Sequence, residues 1–254
     1  MRERSLLLLR EAAIIAASLV AYFGVRGLTE GSASRALANG RAVLELERWL
    51  GMAVEERLQE AVLSFSWAVS LANWVYIWGH WPVIAAIAVW LLFQRPDVYV
   101  RYRRAFLVSG AIGLVVFATY PVAPPRLLSP EFVDTVTERS RAYRVLQPPA
   151  FVNQYAAMPS LHLGWDLLIA LALFQSTRNV LVRGFAVLLP VAMFAAIVVT
   201  ANHYVIDGIA GAAVAMVGLA AVSIDVRRAS GIRGRRLTMT LRALAWRSRE
   251  SPAP

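Results

Sequence analysis

The chain has three histidines, and two of them stand in segments whose residue types could do chemistry. His203 lies in Ala201-Asn202-His203-Tyr204-Val205-Ile206-Asp207, and His162 ends Met158-Pro159-Ser160-Leu161-His162 upstream of it. Each is at the outer edge of a long apolar run, where an ionisable side chain needs a reason to be present. Asp207 follows His203 by four residues, so on a helix the two share a face, and the carboxylate can orient the imidazole or stabilise its cation. Two histidines and an arginine, with no cysteine in the chain, suit phosphoryl transfer through a phosphohistidine. One imidazole attacks, the other protonates the leaving oxygen, and arginine neutralises the equatorial oxygens. The arginine is Arg126, held close to the membrane surface by the rigid run Pro121-Val122-Ala123-Pro124-Pro125. A phosphate clamp is the favoured reading for it over a side chain that snorkels to lipid. Ser160, Asn202 and Tyr204, the polar neighbours of the two histidines, are candidate substrate contacts. Asp166, one turn below His162, either tunes that histidine or is a buried structural partner. The scheme requires no metal or other cofactor. Its competitor is a zinc site built from His162, His203 and Asp207, although no HExxH-type motif accompanies them.

These residues need a scaffold, and composition sets its class. Of 254 residues 58% are hydrophobic and 17% charged, and the apolar excess is gathered into runs long enough to cross a bilayer. The expectation is an all-α polytopic membrane protein. The net charge of +10 is carried by arginine alone, since the chain has no lysine. These arginines flank apolar segments, where they report membrane orientation and contact with anionic lipid; no nucleic-acid recognition motif accompanies them, so no nucleic-acid partner is expected. Arginine in place of lysine points to a GC-rich bacterial genome and hence a bacterial plasma membrane.

The positive-inside rule orders the spans. The first is Ala12 to Val25 behind Arg2, Arg4 and Arg10, read as a retained anchor in preference to a cleaved signal. Gly31 to Glu60 reads as an amphipathic interfacial helix, with Val43, Leu46, Leu50, Val54 and Leu58 set against Glu45, Glu47, Arg48, Glu55, Glu56 and Arg57. The loop with Arg95, Arg101, Arg103 and Arg104 should be cytoplasmic, so residues 61–94 supply one crossing, placed at Asn73 to Gln94. His80 inside it reads as a packed, hydrogen-bonded histidine. Ala105 to Tyr120 returns outward, an external loop runs from Pro121 to Ala157, and Leu161 to Phe174, Val187 to Thr200 and Tyr204 to Ile224 complete six crossings. Both termini are then cytoplasmic, and Arg126, His162, His203 and Asp207 share the outer face. Three regions follow: 1–60 with the first span and interfacial helix, 61–225 as the catalytic membrane domain, and 226–254 as a basic cytoplasmic tail suited to anionic headgroups.

At PVAPPR (121–126), MPSLH (158–162) and HYVID (203–207) the chain resembles the type 2 phosphatidic acid phosphatase superfamily, most closely its inositol-phosphorylceramide synthase-like branch. The resemblance covers roughly residues 60 to 225. It implies that His203 is the nucleophile, that Asp207 orients it, and that His162 is the general acid and later the base. The departures are informative. The phosphatase branch carries a lysine and an arginine in its first motif where this chain offers only Arg126, has a serine-arginine pair where this chain has Thr200-Ala201-Asn202, and reads PSGH where this chain reads PSLH. Fewer phosphate-binding cations suit a phosphodiester lipid donor, and thus headgroup transfer through a phosphohistidine. The alternative is a phosphatase hydrolysing phosphatidic acid or a polyprenyl (di)phosphate. In either case the partner is a phospholipid or lipid-linked phosphate. A transporter is disfavoured because the sequence shows no internal repeat, and a scaffold would not need His203 and Asp207 on one face.

Overall fold

The computed structural model describes residues 2–28, 31–139 and 153–224. The basic tail from 225 and the part of the external loop holding Arg141 and Arg144 lie outside the described residues. The described chain is helical: α1 (Arg2–Leu28), α2 (Ala33–Trp49), α3 (Glu55–Leu63), α4 (Ser66–Trp78), α5 (Trp81–Gln94), α6 (Pro96–Thr119), the short α7 (Thr135–Arg139), α8 (Leu161–Ser176), α9 (Val180–Val199) and α10 (Val205–Ile224).

Local chemistry explains several boundaries. Pro96 opens α6 at a first-turn position where its missing N–H costs nothing, and Pro121 follows directly on the residue that ends it. Asn179 caps α9 by accepting from the N–H groups of Leu181 and Val182. The single span expected over 73–94 is two helices, α4 and α5, meeting at a 44° bend. The break has a steric cause: a Cβ on Gly79 would lie 2.5 Å from the Val75 carbonyl oxygen, and Pro82 cannot donate to a preceding turn.

By length and composition α6, α9 and α10 can each cross a membrane, and the bent α4–α5 pair makes a fourth candidate. The count of six is therefore not reached by that criterion among the described residues. Two helices account for the difference. α8 is apolar but has only 16 residues, roughly 24 Å of rise against a hydrocarbon core of about 30 Å. The buried Glu11 interrupts α1, where it pairs with Arg103 of α6.

The interfacial segment also differs from its expected form. It is two helices separated at Gly51, which adopts φ +69°, and its polarity is turned inside out. Val43 is buried, yet Leu46, Trp49, Leu50 and Leu58 are exposed, while Glu47, Glu55 and Gln59 are buried. An exposed apolar side is what an interfacial helix offers to lipid; the carboxylates turn the other way, into the protein.

The main core joins Leu91 of α5, Tyr99, Tyr102 and Phe117 of α6, Trp165, Leu168 and Leu173 of α8, and Leu189 of α9. α8 starts in very close contact with α10. A Cβ on Gly211 would fall on the Ser160 carbonyl, and the Ser160 N–H donates to the Asp207 carbonyl at 2.9 Å. That approach brings the residues before α8 and the residues before α10 side by side.

Candidate active site

Three irregular segments meet at that junction. Val122 N–H donates to the Tyr155 carbonyl at 2.7 Å and Ala157 N–H to the Val122 carbonyl at 3.2 Å, so 121–126 and 153–157 run together. The Arg126 N–H donates to the Ala201 carbonyl at 3.0 Å, which ties the first segment to the third. Asn39 of α2 donates to the Pro121 carbonyl, and Tyr204 donates its hydroxyl to the Ala123 carbonyl at 2.8 Å. Backbone hydrogen bonding thus fixes segments that are irregular apart from one 3-10 turn at Pro125–Leu127.

His203 follows the end of α9 through Ala201, whose φ of +54° turns the chain sharply. Its Nδ1 is 2.7 Å from the Ala157 carbonyl, which can only accept, so Nδ1 carries the proton and Nε2 keeps its lone pair. Asp207 stands 3.5 Å from the same nitrogen and accepts from the Tyr204 N–H at 3.0 Å. His162, the second residue of α8, lies edge-on to His203 with ring centres 5.7 Å apart, and is stacked on Tyr76 at 4.6 Å. Both histidines line a cavity of about 50 Å³ together with Arg126, Asn202, Asn153 and a wall of Tyr22, Tyr76, Trp81, Phe117 and Trp165. Arg126 Nε donates to Asp134 at 3.0 Å, which commits one of five guanidinium donors and fixes the plane of the rest.

The PAP2 superfamily model matches residues 41–221. The chain belongs to the PAP2 superfamily. No curated protein and no solved structure matches it significantly. The superfamily is one of phosphatases and phosphotransferases, so this is a PAP2 enzyme, and membership suggests a lipid phosphate as substrate.

The other residues singled out in this PAP2 enzyme are placed as follows. Asn202 lines the cavity, its amide nitrogen donating to the Thr200 carbonyl and hydroxyl. Ser160 is fully buried at the start of α8, and its hydroxyl has no hydrogen-bond partner among the described residues. Tyr204 is buried behind the wall in a small cluster with Val43, Val122 and Ala157 and does not line the cavity. Asp166 is fully buried and hydrogen-bonds His80 Nδ1 at 2.9 Å. His80 is itself part of the cavity lining, in contact with His162. Among the described residues no group of three or more His, Cys, Asp or Glu side chains is arranged to hold a metal ion.

Two contributors escaped the sequence. Glu47 Oε1 accepts from the Ile206 N–H at 2.8 Å and Glu55 Oε1 from the Val205 N–H at 2.9 Å, so α2 and α3 supply the caps of α10. With Asp207 on Tyr204, three carboxyls hold successive N–H groups right after His203. Burial first, then the neighbouring Glu55 carboxyl, pushes Glu47 up to about 9, so it is protonated at neutral pH. Gln59 extends the same inward face, donating to the Val133 and Val199 carbonyls and accepting from the Val133 N–H. The only sequence signal was a second acidic register at 47 and 55, which amphipathicity assigns to solvent.

Proposed function

We propose that this PAP2 enzyme is an integral membrane phosphotransferase that moves a phospho-headgroup between lipids through a phosphohistidine on His203, as inositol-phosphorylceramide synthase-like enzymes do. The observation that carries the reading is the Ala157 carbonyl on His203 Nδ1, which leaves Nε2 as the attacking atom. Nε2 attacks phosphorus, the bond from phosphorus to the lipid oxygen breaks, and His162 donates its proton to that oxygen. In the second half the acceptor hydroxyl attacks, the P–N bond breaks, and His162 takes the acceptor's proton. Asp207 orients and stabilises His203 as it becomes cationic; Arg126, Asn202 and Ser160 receive the phosphoryl oxygens. Tyr204, expected as a substrate contact, is given a supporting role behind the site.

Transfer is favoured over hydrolysis by the charge of the site: among the described residues the cavity offers one arginine, already shared with Asp134, which suits a phosphodiester better than a dianionic phosphomonoester. The six-crossing arrangement, with both termini inside and the site on the outer face of a bacterial plasma membrane, remains part of this reading. α1 and the 16-residue α8 serve as its two less regular spans.

The test is partition of the headgroup. The protein is reconstituted in vesicles of phosphatidylinositol, phosphatidylglycerol or phosphatidic acid, with a lipid alcohol as acceptor. Transfer of the phospho-headgroup to the alcohol supports the proposal. Rapid hydrolysis of phosphatidic acid or a polyprenyl diphosphate, with no transfer, replaces it by a phosphatase.

A further inference from the structure

We propose that His80 and Asp166 form a second acid–imidazole pair whose task is to keep the proton on His162, so that His162 enters the reaction as an acid. This rests on the assignment of His162 as the proton donor made above.

His162 is poorly placed to be a cation. It is the second residue of α8, where the helix dipole disfavours positive charge, and it shares the cavity with Arg126. An anion must offset both. Asp207 is already engaged by the Tyr204 N–H and by His203. Asp166, four residues after His162, is fully buried, and only one of its oxygens is bound, by His80 Nδ1; Oδ2 has no partner among the described residues. A carboxylate oxygen buried without a partner calls for an explanation.

His80 transmits the charge. It sits in the break of the α4–α5 span, an interruption tolerated in a membrane where it is buried in protein or lines a cavity, and His80 does both. Its ring centre is 4.5 Å from that of His162, and its plane is parallel to Trp165. With Nδ1–H on Asp166, a neutral imidazole lies between His162 and the carboxylate, and the pair as a whole is an anion. Among the described residues the other ionisable groups facing His162 are Tyr76 from α4, Tyr22 from α1, Arg126 with Asp134 from the 121–139 segment, and His203 with Asp207 from the α9–α10 turn. Of their carboxylates, Asp134 is bound to Arg126 and Asp207 stands on the far side of His203. When His162 gives its proton to the leaving lipid oxygen as the P–O bond breaks, it becomes neutral; the acceptor's proton restores it, and the His80–Asp166 pair keeps it there.

The experiment compares pH–rate profiles of D166N and H80N with the parent on two kinds of donor. Phosphatidylglycerol and phosphatidic acid release an alkoxide and need the acid; p-nitrophenyl esters of glycerol phosphate and of phosphate release a phenolate that leaves unprotonated. For the lipid donors the basic limb of kcat/KM should move to lower pH by about one unit in both variants, a roughly tenfold loss above the limb that closes at acid pH. For the nitrophenyl esters both should stay within about twofold of the parent. Equal losses on both donors at every pH, or an unmoved basic limb, would overturn the inference. H80N adds no buried charge and carries the same expectation if D166N fails to fold. H162N separates the two layers: loss of lipid donors with retention of the first-turnover burst of nitrophenolate, the step that needs no acid, upholds His162 as the acid, so that an unshifted D166N profile sinks the Asp166 inference alone. Parental turnover of lipid donors by H162N would sink both.

Discussion

The two helices that follow the catalytic segments begin in opposite electrostatic states. At the start of α10 the N–H groups of Tyr204, Val205 and Ile206 are taken by Asp207, Glu55 and Glu47, two of them reaching in from the interfacial helices. At the start of α8 no side chain caps the helix, and the buried Ser160 hydroxyl has no partner among the described residues. Helix starts attract anions. At α10 that capacity is consumed by the protein beside His203; at α8, beside His162, no side chain consumes it, and the proposed mechanism assigns it to the substrate's phosphoryl oxygens. On that proposal one helix start is a clamp and the other a receptor.

Filling the receptor should have the largest effect. S160D places a carboxylate where α8 awaits an anion, and turnover should fall by about 100-fold or more, in the range seen when an oxyanion donor is lost. S160A, which removes the hydroxyl without adding charge, should lose less and keep the fold. Measured kcat and inhibition by inorganic phosphate check both, since the aspartate should also abolish phosphate inhibition. Equal activity of S160D and S160A would mean that α8 does not receive the phosphoryl group.

Emptying the clamp should come next. E47A leaves the Ile206 N–H buried without its acceptor and should lower stability by about 1–2 kcal/mol, read as a drop in the midpoint of thermal unfolding, with turnover falling alongside. E47Q should be nearly silent at pH 7, because an amide resembles the protonated carboxyl that the site holds. The pH dependence follows with a definite sign. Glu47 is raised from an ordinary 4.5 to about 9, so the stability it contributes is complete below 4.5 and is lost as pH rises through about 9. E47Q should flatten that decline between neutral and alkaline pH; a parent-like decline in E47Q would place the titrating group elsewhere.

The smallest expected effect is at Ala201, whose positive φ positions His203 for the clamp. A left-handed backbone strains any residue with a Cβ, so A201G should gain up to about 1 kcal/mol in thermal unfolding, with turnover within about twofold. A large loss of turnover would mean that Ala201 does more than turn the chain.

Much of this was legible beforehand for a physical reason. Apolar runs mark α8 and α10 within about two residues at each end, because burial and lipid exposure both act through hydrophobicity, whereas α9 begins seven residues before the expected Val187. His162, His203, Asp207 and Arg126 stood out because ionisable groups are rare in such runs. What escaped was orientation. Glu47 and Glu55 look like solvent-facing residues of an amphipathic helix, and only the position of α10 gives them backbone partners. By sequence His80 reads as a packed histidine and Asp166 as either a tuner of His162 or a buried structural partner; the two find each other across 86 positions of chain, which no local pattern encodes. The α4–α5 break depends on close backbone packing at Gly79 and is equally silent in hydropathy.

The central claim is that His203 becomes covalently phosphorylated through Nε2. The direct measurement is peptide mass spectrometry on protein quenched during turnover in mixed phospholipid vesicles, with H203A as the control. The account predicts a phospho-headgroup adduct on His203 that disappears when a lipid alcohol is added and never forms in H203A. Turnover with no adduct on His203, or an adduct on His162 instead, would contradict it.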